Sequence, residues 1–173
     1  RGRDLEAWRW IELAIQRVNR HDGAPVVPEF LLLGARASLS ALGREEEIPH
    51  LLHRLERVTV AVPPDSGSFA STFSPRVRVH TEKADLGETF ESLVSEFQSL
   101  AQDPRRVHMN VTEYYIHIAH ARVHVCLRTA PDALGRPLGA LGVALADLKA
   151  AAKIPLIRAH ALAVEGYFEW FQG

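Results

Sequence analysis

Six apolar residues between 107 and 125 recur at intervals of four, three, four, three and four. They are Val107, Val111, Tyr114, Ile118, Ala121 and Val125. Only an α-helix puts such a series on one side of the chain, because its side chains return to the same face every three or four residues. An alternating, strand-like pattern can also be drawn over Ile116–Leu127, but no turn residue breaks the run. A span this long favours helix. Asp103-Pro104 supplies a start signal, a capping residue followed by proline at the first helical position. The pattern predicts one long amphipathic helix of about 20 to 25 residues, and a chain built around it is committed to helical packing.

The same period recurs on both sides. Leu5, Trp8, Ile11, Ala14, Ile15 and Val18 predict a helix over 4–20, ended by Gly23 and Pro25. Pro28 and Glu29 open a helix running to Leu42, and Gly43 stops it. A second helix follows over 44–58, with Ile48, Leu51, Leu52 and Leu55 on one face. Phe90, Leu93, Val94, Phe97 and Leu100 predict a helix over 88–102. Further helices are expected over 138–153 and 155–170, the last with Leu156, Ala159, Leu162, Ala163, Tyr167 and Trp170 inward. Residues 63–75, rich in Pro, Ser and Gly, read as a loop. Arg76 to His80 alternates and reads as a short strand that can pair with Thr59–Val62. Short links at Gly43, Asp103 and Ile154-Pro155 favour antiparallel neighbours. The expected fold is mainly α, an array of antiparallel helical hairpins, solenoid or bundle, with one extended loop or small hairpin. It is expected as one domain over 1–173 with an irregular insertion at about 59–88.

Composition narrows the function classes. Hydrophobic residues make up 47% of the 173, too many for a chain disordered as its main state. Lys plus Arg is 20 against 21 Asp plus Glu, so no global positive charge draws in nucleic acid or an anionic membrane. Cys126 is the single cysteine, which excludes an intrachain disulfide and a multi-cysteine zinc site. No run approaches the ~20 apolar residues of a transmembrane helix, and membrane insertion is not expected. The first residue is Arg1, so the chain reads as a fragment or a processed mature protein.

Residues 28–62 form a unit of their own. One helix ends in Ala41-Leu42-Gly43; the next opens on Arg44-Glu45-Glu46-Glu47 and carries Ile48, Leu51, Leu52 and Leu55. A helix pair of about 35 residues is the length of a helix-turn-helix repeat. The segment resembles the pentatricopeptide repeat. Weaker echoes occur at Leu5–Asn19, at Phe90–Leu100 with Asn110–Ile116, and at Leu145–Lys153 with Pro155–Ile157. The resemblance implies stacked helical hairpins with a concave binding face, which in that family usually reads single-stranded RNA through polar residues near the start of each first helix. Here those positions are Leu31, Leu32, Leu33 and Gly34, which cannot hydrogen-bond a base edge. RNA binding is therefore disfavoured, and a protein-binding role is expected. Some pentatricopeptide-like chains are structural parts of mitochondrial ribosomes and of the ATP synthase of euglenozoan protists. The resemblance implies a non-catalytic accessory or scaffolding subunit, with protein subunits of a larger assembly as partners. A mitochondrial complex is the implied setting, of the ATP synthase type first, or else the cytoplasm. No cofactor is expected.

Several constellations bear on chemistry. His117, His120 and His124 share one face of the long helix, with Glu113 a turn before. Imidazoles bind zinc, nickel or iron, and His120 with His124 matches the His-x-x-x-His pair of DinB-like metal enzymes, for which His50 or His53 could supply a third ligand. The plainer reading is a polar stripe opposite the core stripe. Cys126 reads as a buried small hydrophobe rather than a nucleophile, because His124 points to a different face. Gly135, Gly139 and Gly142 follow no strand and suit close helix packing better than phosphate binding. Arg105 and Arg106, with Arg76 and Arg78, read as a basic surface patch. Trp10 and Phe171 fall off the core stripes of their helices. Trp10, Arg105, Arg106 and Phe171 are the expected protein-interface residues.

Overall fold

The computed structural model describes residues 72–173, together with 5, 6, 9, 10, 13, 46, 69 and 70. The single domain expected over 1–173 is resolved by its contacts into two compact units, Arg1–Thr72 and Phe73–Gly173. The division falls inside the stretch expected to interrupt the helices. The described residues are mainly α-helical and include no strand.

In the first unit, Leu5, Glu6, Arg9, Trp10 and Leu13 are helical and exposed. Leu5 was expected inward and is 43% exposed. Ala70 and Thr72 are buried, and the Thr72 hydroxyl donates to the Phe69 carbonyl at 2.7 Å. The helices expected over 28–58, with the repeat-like unit they form, lie outside the described residues.

The second unit contains α1 (Phe73–Lys83), α2 (Glu88–Ser99), α3 (Met109–Arg128), α4 (Gly135–Ala151) and α5 (Pro155–Gln172). A short 3-10 turn, Pro131–Ala133, lies between α3 and α4. Helix α3 is the centre: α1, α4 and α5 all pack on it, α2 packs on α1, and α5 on α4. Of the stripe read from the sequence, Val111, Tyr114, Ile118 and Ala121 are buried on the core face, Val125 is half-buried, and Val107 is buried ahead of the helix. Burial extends further round the helix, to Thr112, Tyr115, Ile116, Ala119, Val123 and Cys126, as a helix covered on several sides requires.

Three expectations are corrected. Arg76–His80 is helical, not a strand, so the irregular stretch does not extend over 73–83. Phe73, Val77 and Thr81 are buried at intervals of four and bring α1 onto α3. The Ser74 hydroxyl donates to the Asn110 carbonyl at 2.9 Å, and that of Thr81 to Val77 at 2.9 Å. The intervening charges find partners on the helix surface: Arg78 with Glu82 at 2.7 Å and Arg76 with Glu96 at 3.8 Å. Packing on α3 outweighs the strand preference of Val77 and Val79.

The long helix starts at Met109 rather than at Asp103-Pro104. Asp103 caps an isolated turn instead: its carboxylate accepts from the Arg105 backbone N–H at 3.0 Å, and its carbonyl from that of Arg106 at 2.9 Å. His108 is the true cap, its Nδ1 accepting from the Asn110 N–H at 3.4 Å.

Helix α5 is turned relative to expectation. Its buried residues are Ile157, Ala161 and Val164, flanked by half-buried His160, Phe168 and Phe171. Leu156, Ala159, Leu162, Ala163, Tyr167 and Trp170, expected inward, are all exposed. Both faces are apolar, so the helical period alone does not choose between them. Gly142 helps to decide: a Cβ there would lie 3.3 Å from the Phe168 ring, so the missing side chain lets that ring seat against α4. A Cβ at Gly135 or Gly139 would meet nothing within 4 Å, so these two play no such part.

Candidate functional site

Three arrangements bring chemistry-bearing side chains together, all within the second unit. The first is a cleft of about 160 Å³. Helix α2 supplies Val94 and Phe97, α3 supplies Tyr114, Tyr115 and Arg122, and α4 supplies Asp147. The tyrosines are fixed by an aromatic cluster. Phe97 stacks on Tyr114 with ring centroids 3.6 Å apart, and Tyr115 meets both edge-on, at 5.8 and 5.4 Å. Tyr114 is 3% and Tyr115 5% exposed. Burial raises both phenols well above their ordinary range, helped by mutual coupling at Tyr114 and by Asp147 at Tyr115. Arg122 forms a two-pronged pair with Glu91, one contact at 2.8 Å, and lies over the Phe90 ring at 5.5 Å. Asp147 has no hydrogen bond or ion pair among the described residues, and burial pushes its carboxyl up.

The second arrangement is the histidine line. His117, His120 and His124 are half-buried on α3. His120 Nε2 lies 3.1 Å from Nδ1 of His160 on α5, the rings edge-to-face with centroids 5.3 Å apart. One nitrogen donates and the other accepts, so the pair shares one proton. Burial lowers the His120 pKa, and His160 and then His124 lower it further. Among the described residues no three His, Cys, Asp or Glu side chains converge on a position able to hold a metal ion. His50 and His53 lie outside those residues. Cys126 is a buried free thiol whose pKa burial raises, which keeps it protonated.

The third is the outer face of α5. Leu156, Leu162, Tyr167 and Trp170 are 63%, 67%, 43% and 66% exposed. Four polar residues of this helix, Arg158, Glu165, Glu169 and Gln172, occupy one flank between its two apolar faces, while His160 borders the buried face.

The expected interface residues are dispersed. Trp10 is 65% exposed in the first unit. Arg105 and Arg106 are exposed together on the turn before α3, and both pair with Asp103, at 3.1 and 3.8 Å. Asp103 is held below its usual range chiefly by the Arg105 side-chain hydrogen bond, then by the Arg105 backbone N–H. Arg76 and Arg78 have acid partners of their own, so these arginines do not make a field of unpaired positive charge. Phe171 is half-buried beside the exposed Trp170, with ring centroids 5.0 Å apart. Sequence reasoning missed Asp147, Tyr115 and His160. Asp147 did leave a signal, as the one acid in the Ala- and Leu-rich run of α4.

No family model, curated protein or solved structure matches the chain. No helix among the described residues is long and apolar enough to cross a membrane.

Proposed function

We propose that this chain is a non-catalytic accessory subunit that docks another protein, and that the outer face of α5 is its docking surface. The observation that carries the reading is the second apolar face of that helix. A helix at the surface of a finished domain is expected to turn polar residues outward, yet here Leu156, Leu162, Tyr167 and Trp170 are exposed beside the charged flank of Arg158 and Glu169. Leu156, Ala159, Ala163, Gly166 and Trp170 recur at three, four, three and four, the spacing of a seam that receives one further helix. Covering the four large side chains removes on the order of 500 Å² from water, more than half of the ~800 Å² per partner of a standard interface. The occupant is an amphipathic helix of a partner subunit.

In this reading the short links within the second unit join helical hairpins of a small repeat-like array. The setting is a multi-subunit organellar assembly, on the resemblance of residues 28–62 alone. The test is affinity capture from the native source, with RNase, followed by reconstitution of the purified partner with this chain. Leu162→Glu and Trp170→Glu abolish the reconstituted complex, whereas Met109→Glu, at a residue 66% exposed on α3, leaves it intact. Equal binding by all three variants, partners released by RNase, or self-association without a partner would each defeat the reading.

A further inference from the structure

We infer that the cleft between α2, α3 and α4 is a binding site for a primary alkylammonium group, with Asp147 as its counter-charge and the hydroxyls of Tyr114 and Tyr115 as further acceptors. The inference goes beyond the docking role of α5 and does not depend on it.

Its first support is hydrogen-bond accounting. Buried tyrosines nearly always find a partner for the hydroxyl. Tyr114 and Tyr115 are each more than nine-tenths buried and both line the cleft, yet neither hydroxyl has a hydrogen-bond partner among the described residues. The third acceptor, Asp147, lines the same cleft from α4 and has no ion pair. Unpaired buried polar groups cost stability, and two buried hydroxyls beside a half-buried, unpaired carboxylate in one cleft call for a reason.

Charge decides the sign of the ligand. Arg122 is the cation lining the cleft, and its guanidinium is already matched by Glu91. Asp103, which also acts electrostatically on Tyr115, is matched by Arg105 and Arg106. Asp147 is left over as the charged lining residue with no ion pair among the described residues. Burial raises its carboxyl, which means the charged form lacks compensation from the chain itself.

Size and the count of acceptors then select within the cations. About 160 Å³ is below the ~300–1,000 Å³ of sites for drug-sized ligands or cofactors. It suits one side chain or a small amine. One carboxylate and two hydroxyls match the three N–H donors of an ammonium better than the five of a planar guanidinium. Val94, Phe97, Ile118 and Val143 offer apolar lining for an alkyl stem. The ammonium can belong to a free amine or to a lysine side chain, and the chemistry is the same.

The test is a titration of the full chain, followed by amide chemical shifts at fixed ionic strength. The probes are butylammonium chloride, Nα-acetyl-lysine methylamide and, as the uncharged control, Nα-acetyl-norleucine methylamide. Saturable shifts at Ala101, Tyr115 and Asp147 with either charged probe, and none with the norleucine control, support the site. Binding by both charged probes identifies the ammonium itself as the ligand; binding by the lysine derivative alone identifies a peptide side chain as its source. Asp147→Asn weakens binding by about tenfold or more, and Tyr115→Phe by a smaller factor, as expected for hydrogen bonds to a charged group. Asp147→Asn also leaves the melting temperature unchanged or higher, because the carboxylate has no partner to lose. Absence of saturable shifts, an equal response to norleucine, or undiminished binding by Asp147→Asn would overturn the inference.

Discussion

Ala84 and Ala101 have φ of 52° and 48°, the left-handed region that glycine enters at least cost. Both follow the C-terminus of a helix. At Ala84 the geometry is a full C-terminal cap: its N–H donates to Thr81 at 3.1 Å, and the N–H of Asp85 reaches back to His80 at 3.0 Å. Ala84→Gly is expected to raise unfolding free energy by about 1 kcal/mol, the left-handed penalty on a Cβ, which urea denaturation measures. The two neighbouring glycines of α4 give a contrasting pair. Gly139→Ala adds a Cβ in open space and gains about 0.5–1 kcal/mol of helix propensity. Gly142→Ala must displace the Phe168 ring and gains less. The His120–His160 pair sets a pH dependence. In the folded state the His120 pKa lies below its ordinary value of 6.5, so the unfolded chain binds that proton more readily. The contribution is fully present above about pH 6.5, the unfolded value. It is lost as pH falls from there toward the folded pKa. Asp147 runs oppositely and lower: its raised pKa makes folding relatively more favourable below its ordinary 3.8. Melting temperature measured from pH 8 to pH 5 should fall, and His120→Gln should flatten that slope.

At the scale of the element, what was legible followed from how one helix is covered. One face of α3 was readable because its apolar residues keep one strict period, while the further buried residues such as Tyr115, Ile116 and Val123 reflect the helices that cover its other sides. Helix α1 was not, because Arg76 to His80 alternates locally while the contacts that make it helical, such as Ser74 with Asn110, reach across to another element. The pairing of His120 with His160 was hidden for the same reason, since forty positions separate the two rings. Helix α5 was seen as a helix but assigned the wrong face, since both of its faces are apolar and only the contacts with α3 and α4 distinguish them. That assignment has a direct test. Val164 is fully buried and Leu162 is 67% exposed. Val164→Ala is expected to cost about 1–3 kcal/mol, while Leu162→Ala stays within about 0.5 kcal/mol. Equal costs at the two positions would mean that the outer face of α5 is covered in solution.

At the scale of the molecule, the boundary between the two compact units at Thr72–Phe73 makes the autonomy of the second unit a physical question. Its core is built from its own elements: Phe73, Phe90, Phe97, Leu141, Leu148 and Val164 are all at most 3% exposed, and they come from α1, α2, α4 and α5. Its polar ties are internal as well. Arg122 and Glu91 join α3 to α2, Lys149 and Glu165 join α4 to α5, and Arg128 reaches the Ala84 carbonyl at 3.1 Å. A span of about 100 residues is the size at which a single core normally suffices for folding. Residues 73–173 expressed alone are therefore expected to give a helical circular dichroism spectrum and one cooperative melting transition. The His120–His160 pH dependence should persist in that fragment, because both rings belong to it. A fragment that is helical but melts without cooperativity would show that the first unit completes the core, and the α5 and cleft experiments would then have meaning only in the full chain.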